Sequence, residues 1–396
     1  MDHAVRSTWR RLSRKHPRQL LQMAVRGLAE RTGAAELDVP LRDSDVWDSG
    51  RPLRPAAPIP DGASLRIGWI VVPPTPGSGG HTTFFRMLDA ARRAGHRNTL
   101  LLYDRYNGDF ATQVDRVRRG WPWLACEIRE APRVLTGFDV LVASAWPTAH
   151  VLASRSADVP VARFAFLQDY EPDFYPQGAL HALAEDSYRF GVTNVALGPM
   201  VARRLREELG VDSRVVPYGT DRVTYRPPGR AVPREGVVFF AKANNDRRGY
   251  RLGVLALREF QRREPAVPLH VYGDRMREPG LRVVNHGYLS PPQLNALYGG
   301  AKAGLVLSFT NVSLIPAELA AAGVIPVLND FAGAREVIDN PHVSWAPPRP
   351  LALARAVEAA VADADPSRPV ALAGWSTPSW DDTAREFLGL ILSGTR

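Results

Sequence analysis

From residue 64 onward the chain alternates between short runs that are apolar throughout and longer stretches with helical spacing. The first half carries SLRIGWIVVPP (64–74), NTLLLYD (98–104), FDVLVASAW (138–146), PVARFAFLQDY (160–170) and VTNVALG (192–198). Between them lie helical patterns such as HTTFFRMLDAARRAG, ALHALAEDSYRF and PMVARRLREELG. A strand that is apolar on both faces, followed by a helix and then by another such strand, predicts a parallel sheet covered on both sides. The pattern breaks at SRVVPYGTDRVTYRPPGRAVPREG (213–236), where prolines and glycines cluster, and then restarts with GVVFFAKA, PLHVYGD, LRVVNHGYL, AGLVLSF and VIPVLN. The expected fold is therefore α/β: two Rossmann-like, doubly wound domains facing a central cleft, spanning 64–220 and 221–378. A final helix over 379–396 is expected to cross back to the first domain, with Ser379 or Asp381 as its cap. Ligands of such sheets bind at the carboxyl ends of the strands.

The remaining chain reads differently. Residues 1–63 are expected to form a basic helical extension followed by a connector rich in Pro, Asp and Arg, ending RPLRPAAPIPDGAS. Residues 4–33 carry Arg6, Arg10, Arg11, Arg14, Lys15, Arg18, Arg26 and Arg31 against one acid, Glu30, and much of the net charge of +9. Such a segment suits a solvated basic face or peripheral contact with an anionic membrane. It lacks interleaved aromatics and any reader motif, so nucleic acid is not an expected partner. No run reaches the length of a spanning helix and no cleavage site follows an apolar core, which makes a cytoplasmic protein, at most peripheral to the inner membrane face, the expectation. The single cysteine, Cys126, offers neither a disulfide framework nor a cysteine metal cluster, and no metal site is expected.

Candidate chemistry gathers at the predicted strand ends. PGSGGH (76–81) lies between the first strand and the first helix, where Gly79 and Gly80 bring bare amides to a helix N-terminus and His81 offers an imidazole. Thr82 stands where a dinucleotide fingerprint has its third glycine, and the lysine of a phosphate loop is absent. FLQDYEPDFYP (166–176) crowds Asp169 and Glu171 at the end of an apolar strand, placed to deprotonate an acceptor hydroxyl or to hold sugar hydroxyls. In the second half, Lys242, Arg247 and Arg248 follow a strand and precede a helix, a cation rim suited to a diphosphate. TNVSLIPAELAAAG adds Thr310, Asn311 and the amides of Val312, Ser313 and Leu314 beside that rim, with Glu318 in the helix behind them.

These residues, in this order, resemble the GT-B glycosyltransferases of family four, over about residues 64 to 395. FLQDYEPDFYPQGALHALAEDSYRFG resembles in particular the WsaF-like bacterial rhamnosyltransferases. That family carries two glutamates separated by seven residues, the first touching the donor sugar and the second the ribose of a nucleotide-sugar donor. Glu318 matches the second. Thr310 stands at the first, a departure from the pattern. Lys242 and Arg248 match the diphosphate pair, and Tyr288 and Leu289 fall where the base is framed. The resemblance implies metal-independent transfer of a hexose, rhamnose first, from a dTDP- or UDP-sugar to a saccharide or lipid-linked glycan, without a cofactor. A sugar-nucleotide epimerase and a non-catalytic nucleotide-sugar-binding protein are the competing readings.

Overall fold

In the computed structural model the described residues are 39–58, 62–75, 77–230, 232–243 and 245–394, and residues from Pro40 onward form one compact unit. The basic 4–33 segment lies outside the described residues. Thirteen strands build two sheets among them: β1 Arg66–Val71, β2 Arg97–Leu102, β3 Glu127–Glu130, β4 Val140–Ala143, β5 Ala162–Leu167, β6 Thr193–Leu197 and β7 Arg214–Val216 in the first. The second holds β8 Val237–Ala241, β9 Leu269–Gly273, β10 Val284–Gly287, β11 Ala303–Val306, β12 Ile325–Asn329 and β13 Ser344–Ala346.

Sheet order is β3-β2-β1-β4-β5-β6-β7 in one and β10-β9-β8-β11-β12-β13 in the other, with every pairing parallel. The winding direction of the second sheet reverses between β8 and β11, and that of the first between β1 and β4. At such switch points the loops diverge to opposite faces and leave a crevice. The uniform burial of β4, β5 and β12 is what a sheet clad on both faces demands.

Each sheet has its own core. Trp69, Phe84, Phe85, Phe164 and Phe166 fill the first and Phe239, Phe260, Tyr298 and Leu319 the second. The final helix, Trp380–Ser393, belongs to the first core: Phe387 packs 5.0 Å from Phe166, ring centre to ring centre, and Ile391 is fully buried. Its start is held by a reciprocal cap, in which Ser379 Oγ accepts from the Asp382 amide and Asp382 accepts from the Ser379 amide.

The proline-rich segment is not a free connector over its described residues 40–58. It lies along the first domain as a strap. Asp45 makes a buried, two-pronged ion pair with Arg155 at 2.7 and 2.8 Å and also accepts from the Tyr103 hydroxyl. The Trp47 amide donates to His150 Nδ1, Ser49 bonds Asp186, and the Arg54 amide donates to the Ala157 carbonyl. Prolines remove backbone donors, so the strap is anchored by side chains and isolated amides rather than by joining a sheet.

Candidate functional site

The switch point of the second sheet is built from two loops. After β8, Lys242 leads to a short 3-10 turn, Asp246–Arg248, and then to Gly249, whose φ is +61°. A Cβ there would lie 2.8 Å from the Leu307 Cβ, so the close approach of the two loops requires glycine. After β11, residues 307–314 form the facing loop. Arg248 donates to Ser308 Oγ at 2.7 Å, and Ser308 in turn donates to the Asn311 carbonyl. Asn329, a polar residue ending an apolar strand, bonds both the amide and the carbonyl of Ser308. This buried network fixes Arg248 at the rim.

The acceptor-side loop, residues 168–174, meets that rim across the cleft. Thr310 Oγ1 donates to Asp169 Oδ2 at 3.1 Å, and Arg247 lies 3.5 Å from the same oxygen. Asn311 Nδ2 donates to the Gln168 carbonyl, and Gln168 Nε2 donates to the Gly80 carbonyl at 3.0 Å. Arg247 also rests 3.5 Å above the Phe174 ring. Asp169 is buried, and its other oxygen, Oδ1, has no hydrogen-bond partner. Burial pushes its carboxyl above the usual range, and Arg248, Arg247 and the Thr310 hydroxyl offset part of that rise.

The predicted residues separate into groups. Gly79, Gly80, Asp169, Arg247, Thr310, Asn311 and Leu314 come together; the Leu314 side chain lies against Gly79. Gly79 opens the helix Gly79–Arg93, so the amides of this first turn have no acceptor within the helix. Val312 is less available than the sequence implied, because its amide is taken by Asn311 Oδ1 at 2.7 Å and its carbonyl accepts from Tyr218. Ser313 has a buried hydroxyl without a partner. Lys242 lies to one side, 6.0 Å from the centre of the Tyr288 ring, whose hydroxyl donates to Asp274. Tyr288 is exposed and Leu289 packs against the second core.

Two candidates are tied into the fold. His81 Nδ1 lies 2.8 Å from Ser78 Oγ, and the ring also bonds the Val72 carbonyl. With burial pulling its pKa down to about 4, it is a neutral ring locking the glycine turn, not a free base. Glu171 Oε2 accepts from the Trp146 amide at 2.5 Å and so caps the helix Trp146–Ser156 from a distance. Burial pushes its carboxyl up to about 8.

Glu318 lies in a third cluster. Burial raises its pKa to about 7, with Arg86 and the Tyr225 hydroxyl opposing the rise and Asp221 adding to it. Arg86, Asp221, Tyr225, Gln168, Ser308 and Asn329 are the site residues that sequence reasoning missed. Only Asn329 carried a local signal, a polar side chain closing the VIPVLN run; the others are remote in sequence from the residues they serve.

Comparison with known proteins agrees with this layout. Residues 235–358 match the family described as WsaF, C-terminal domain. The O-antigen biosynthesis protein RfbC of Myxococcus xanthus is 32% identical over 264 residues, which is 63% of this chain and 20% of that protein. The chain thus spans about a fifth of the length of this curated relative. Among solved structures, Anabaena HepE in complex with UDP and glucose superposes with a TM-score of 0.66 at 14% identity, over 83% of this chain and 100% of that one. This is a WsaF-like chain of the GT-B fold. A further neighbour of the WsaF-like chain, TarM of S. aureus in complex with UDP and saccharides, has a TM-score of 0.64 at 8% identity, over 84% and 100% of the two chains. Among the described residues no helix is long and apolar enough to cross a membrane, and no group of three His, Cys, Asp or Glu side chains is arranged to hold a metal.

Proposed function

We propose that this chain is a glycosyltransferase that moves a hexose from a nucleoside diphosphate sugar to a hydroxyl of a saccharide or glycoconjugate acceptor. The observation that carries the reading is Asp169. It reaches from the first domain to the cation rim at the switch point of the second, where Thr310 stands in place of the family's first glutamate.

In this reading the diphosphate lies against Lys242, Arg247 and Arg248 and the loop 312–314, and Glu318 accepts from the ribose hydroxyls. Asp169 accepts the proton of the acceptor hydroxyl as its oxygen bonds the anomeric carbon. The bond from that carbon to the diphosphate breaks, and the leaving group's charge falls on the cations and on the amides at the helix start. A buried carboxylate with a raised pKa and one unsatisfied oxygen suits this role, because the ionised form gains most from taking a proton. Basic side chains carrying the leaving group favour metal-independent transfer, and the test is activity that survives a chelator. The WsaF-type carboxyl-terminal domain and the RfbC relative favour a deoxyhexose such as rhamnose on dTDP, ahead of a UDP-hexose.

Thermal-shift titration against dTDP- and UDP-sugars, followed by assay of nucleoside diphosphate release with and without a glycan acceptor, tests the proposal. Stabilisation by one donor and acceptor-dependent release are expected. No stabilisation at millimolar ligand would sink it, and acceptor-independent isomerisation of the donor would convert it to an epimerase.

A further inference from the structure

The two chain crossings between the domains are bonded to each other. The Thr220 amide donates to the Pro378 carbonyl at 2.9 Å, Arg222 donates to the carbonyls of Ala373 and Trp375, and Thr383 Oγ1 donates to the Pro217 carbonyl. Gly219 sits against Trp380 so closely that a Cβ would lie 2.7 Å from the indole. Any hinge movement of one domain on the other passes through this pair of segments.

Arg86 reaches this hinge from the helix whose first turn holds Gly79 and Gly80. Its Nη2 lies 3.3 Å from Asp221 Oδ2, and its guanidinium is 5.1 Å from the Trp380 ring centre. Asp221 is oriented by accepting from the Thr224 amide through Oδ1, leaving Oδ2 for the arginine. Glu318 faces the same guanidinium from the second domain. Its other charged and titratable neighbours are Asp221 and Tyr225 of the crossing segment, Tyr218, Tyr272 of β9, and Tyr298 of the helix Pro291–Gly299. Tyr272 and Tyr298 are hydrogen-bonded to each other at 2.7 Å. Arg86 is the cation of this cluster, and two carboxylates compete for it.

We infer that Arg86 is the shared counter-ion of Glu318 and Asp221, so that the charge of the donor-site carboxylate is set from the opposite domain and coupled to the hinge. The inference rests on the proposed donor role of Glu318. Arg86 is a positioning residue: it holds Glu318 in the ionised form that accepts hydroxyl donors, while Asp221 draws on the same charge. Donor bound to Glu318 therefore favours the arrangement in which Arg86 is seated in the hinge, and an unseated Arg86 leaves Glu318 protonated.

The test compares Arg86→Met, Arg86→Lys and Asp221→Asn with the unmodified chain. The glutamate carboxyl carbons are followed by NMR between pH 5 and 9, with Glu318→Gln assigning the signal, and the donor KM is measured over the same range. Arg86→Met should move the Glu318 titration and the acid limb of donor KM upward by about one pH unit, about tenfold in KM at pH 7. Arg86→Lys should restore most of the shift, and Asp221→Asn should move both downward. A Glu318 titration that is the same in all variants overturns the inference. So does an Arg86→Met effect that lowers kcat equally at every pH together with Tm, which marks a merely structural residue. Should no nucleotide sugar be turned over, the proposed function fails, yet the NMR titration still decides whether Arg86 sets the charge of Glu318.

Discussion

Two ion pairs separate what holds this chain together from what it is built to do. Asp45 and Arg155 pair under the strap, both nearly inaccessible, and every oxygen of the carboxylate is used: two guanidinium bonds and the Tyr103 hydroxyl. Burial alone would raise the Asp45 pKa, but the Arg155 and Tyr103 bonds hold it below the usual carboxylate value. Asp169 and Arg247 pair across the cleft at a looser 3.5 Å, one carboxylate oxygen is left without a partner, and the carboxyl lies above its usual value. A buried charge with every lone pair satisfied is architecture. One held short of satisfaction persists because something else completes it, and in a cleft that something is a ligand.

The largest effect that would break this comparison is at Asp169. Asp169→Asn should lower acceptor-dependent turnover by about 10²–10⁴-fold, the usual weight of a general base, while Tm does not fall. A variant that transfers sugar within threefold of the unmodified chain would reduce Asp169 to a structural contact.

Asp45→Asn should do the reverse. It leaves Arg155 buried without its counter-charge, a loss of about 3–5 kcal/mol by urea unfolding, and leaves the chemistry of the remaining folded protein alone. Because the folded pKa of Asp45 is depressed, this contribution is present above the unfolded carboxylate pKa and is lost as pH falls through the folded one, so the two proteins should converge on acidification. A loss under 1 kcal/mol at pH 7 would contradict the account of the strap.

On the donor side, Glu318→Ala and Arg248→Ala should each weaken binding of the cognate nucleoside diphosphate sugar by about 1.5–3 kcal/mol, the worth of a hydrogen bond to a charged group. Calorimetry that finds donor affinity unaltered in a folded variant would remove that residue from the site. The smallest effect is at Glu171. Its folded pKa is raised to about 8, so the native state holds a proton that the unfolded chain gives up, and stability falls as pH rises from the ordinary carboxylate range through about 8. Glu171→Gln keeps an acceptor for the Trp146 amide and should match the unmodified chain near pH 4.5 and exceed it by about 2–4 °C in Tm at pH 9. Equal melting at both pH values would show that Glu171 is ionised in the folded chain.

The apolar runs were enough to place two parallel sheets, because a strand clad on both faces has to be apolar on both, and that requirement is written residue by residue. The cations after β8 and the acids after β5 were legible for a related reason: charged side chains that directly follow a buried strand fall at its carboxyl end. His81 and Glu171 were legible as polar residues at those ends, but not as residues whose bonds are already spent. Their partners, Val72, Ser78 and Trp146, are ordinary in sequence and matter only by proximity.

The proline-rich 40–58 segment shows the same limit, since composition gave an extended chain and only the partners Arg155, His150 and Asp186 made it a strap. What the sequence determined by itself is the fold, the two faces of the cleft and the sign of charge on each, because periodicity and the ends of strands are local properties. What the tertiary structure decided is which carboxylate meets Thr310, and which arginine faces Glu318. Those pairings join residues 141 positions apart in the first case and more than 200 in the second, and no local pattern encodes a distance between two sheets.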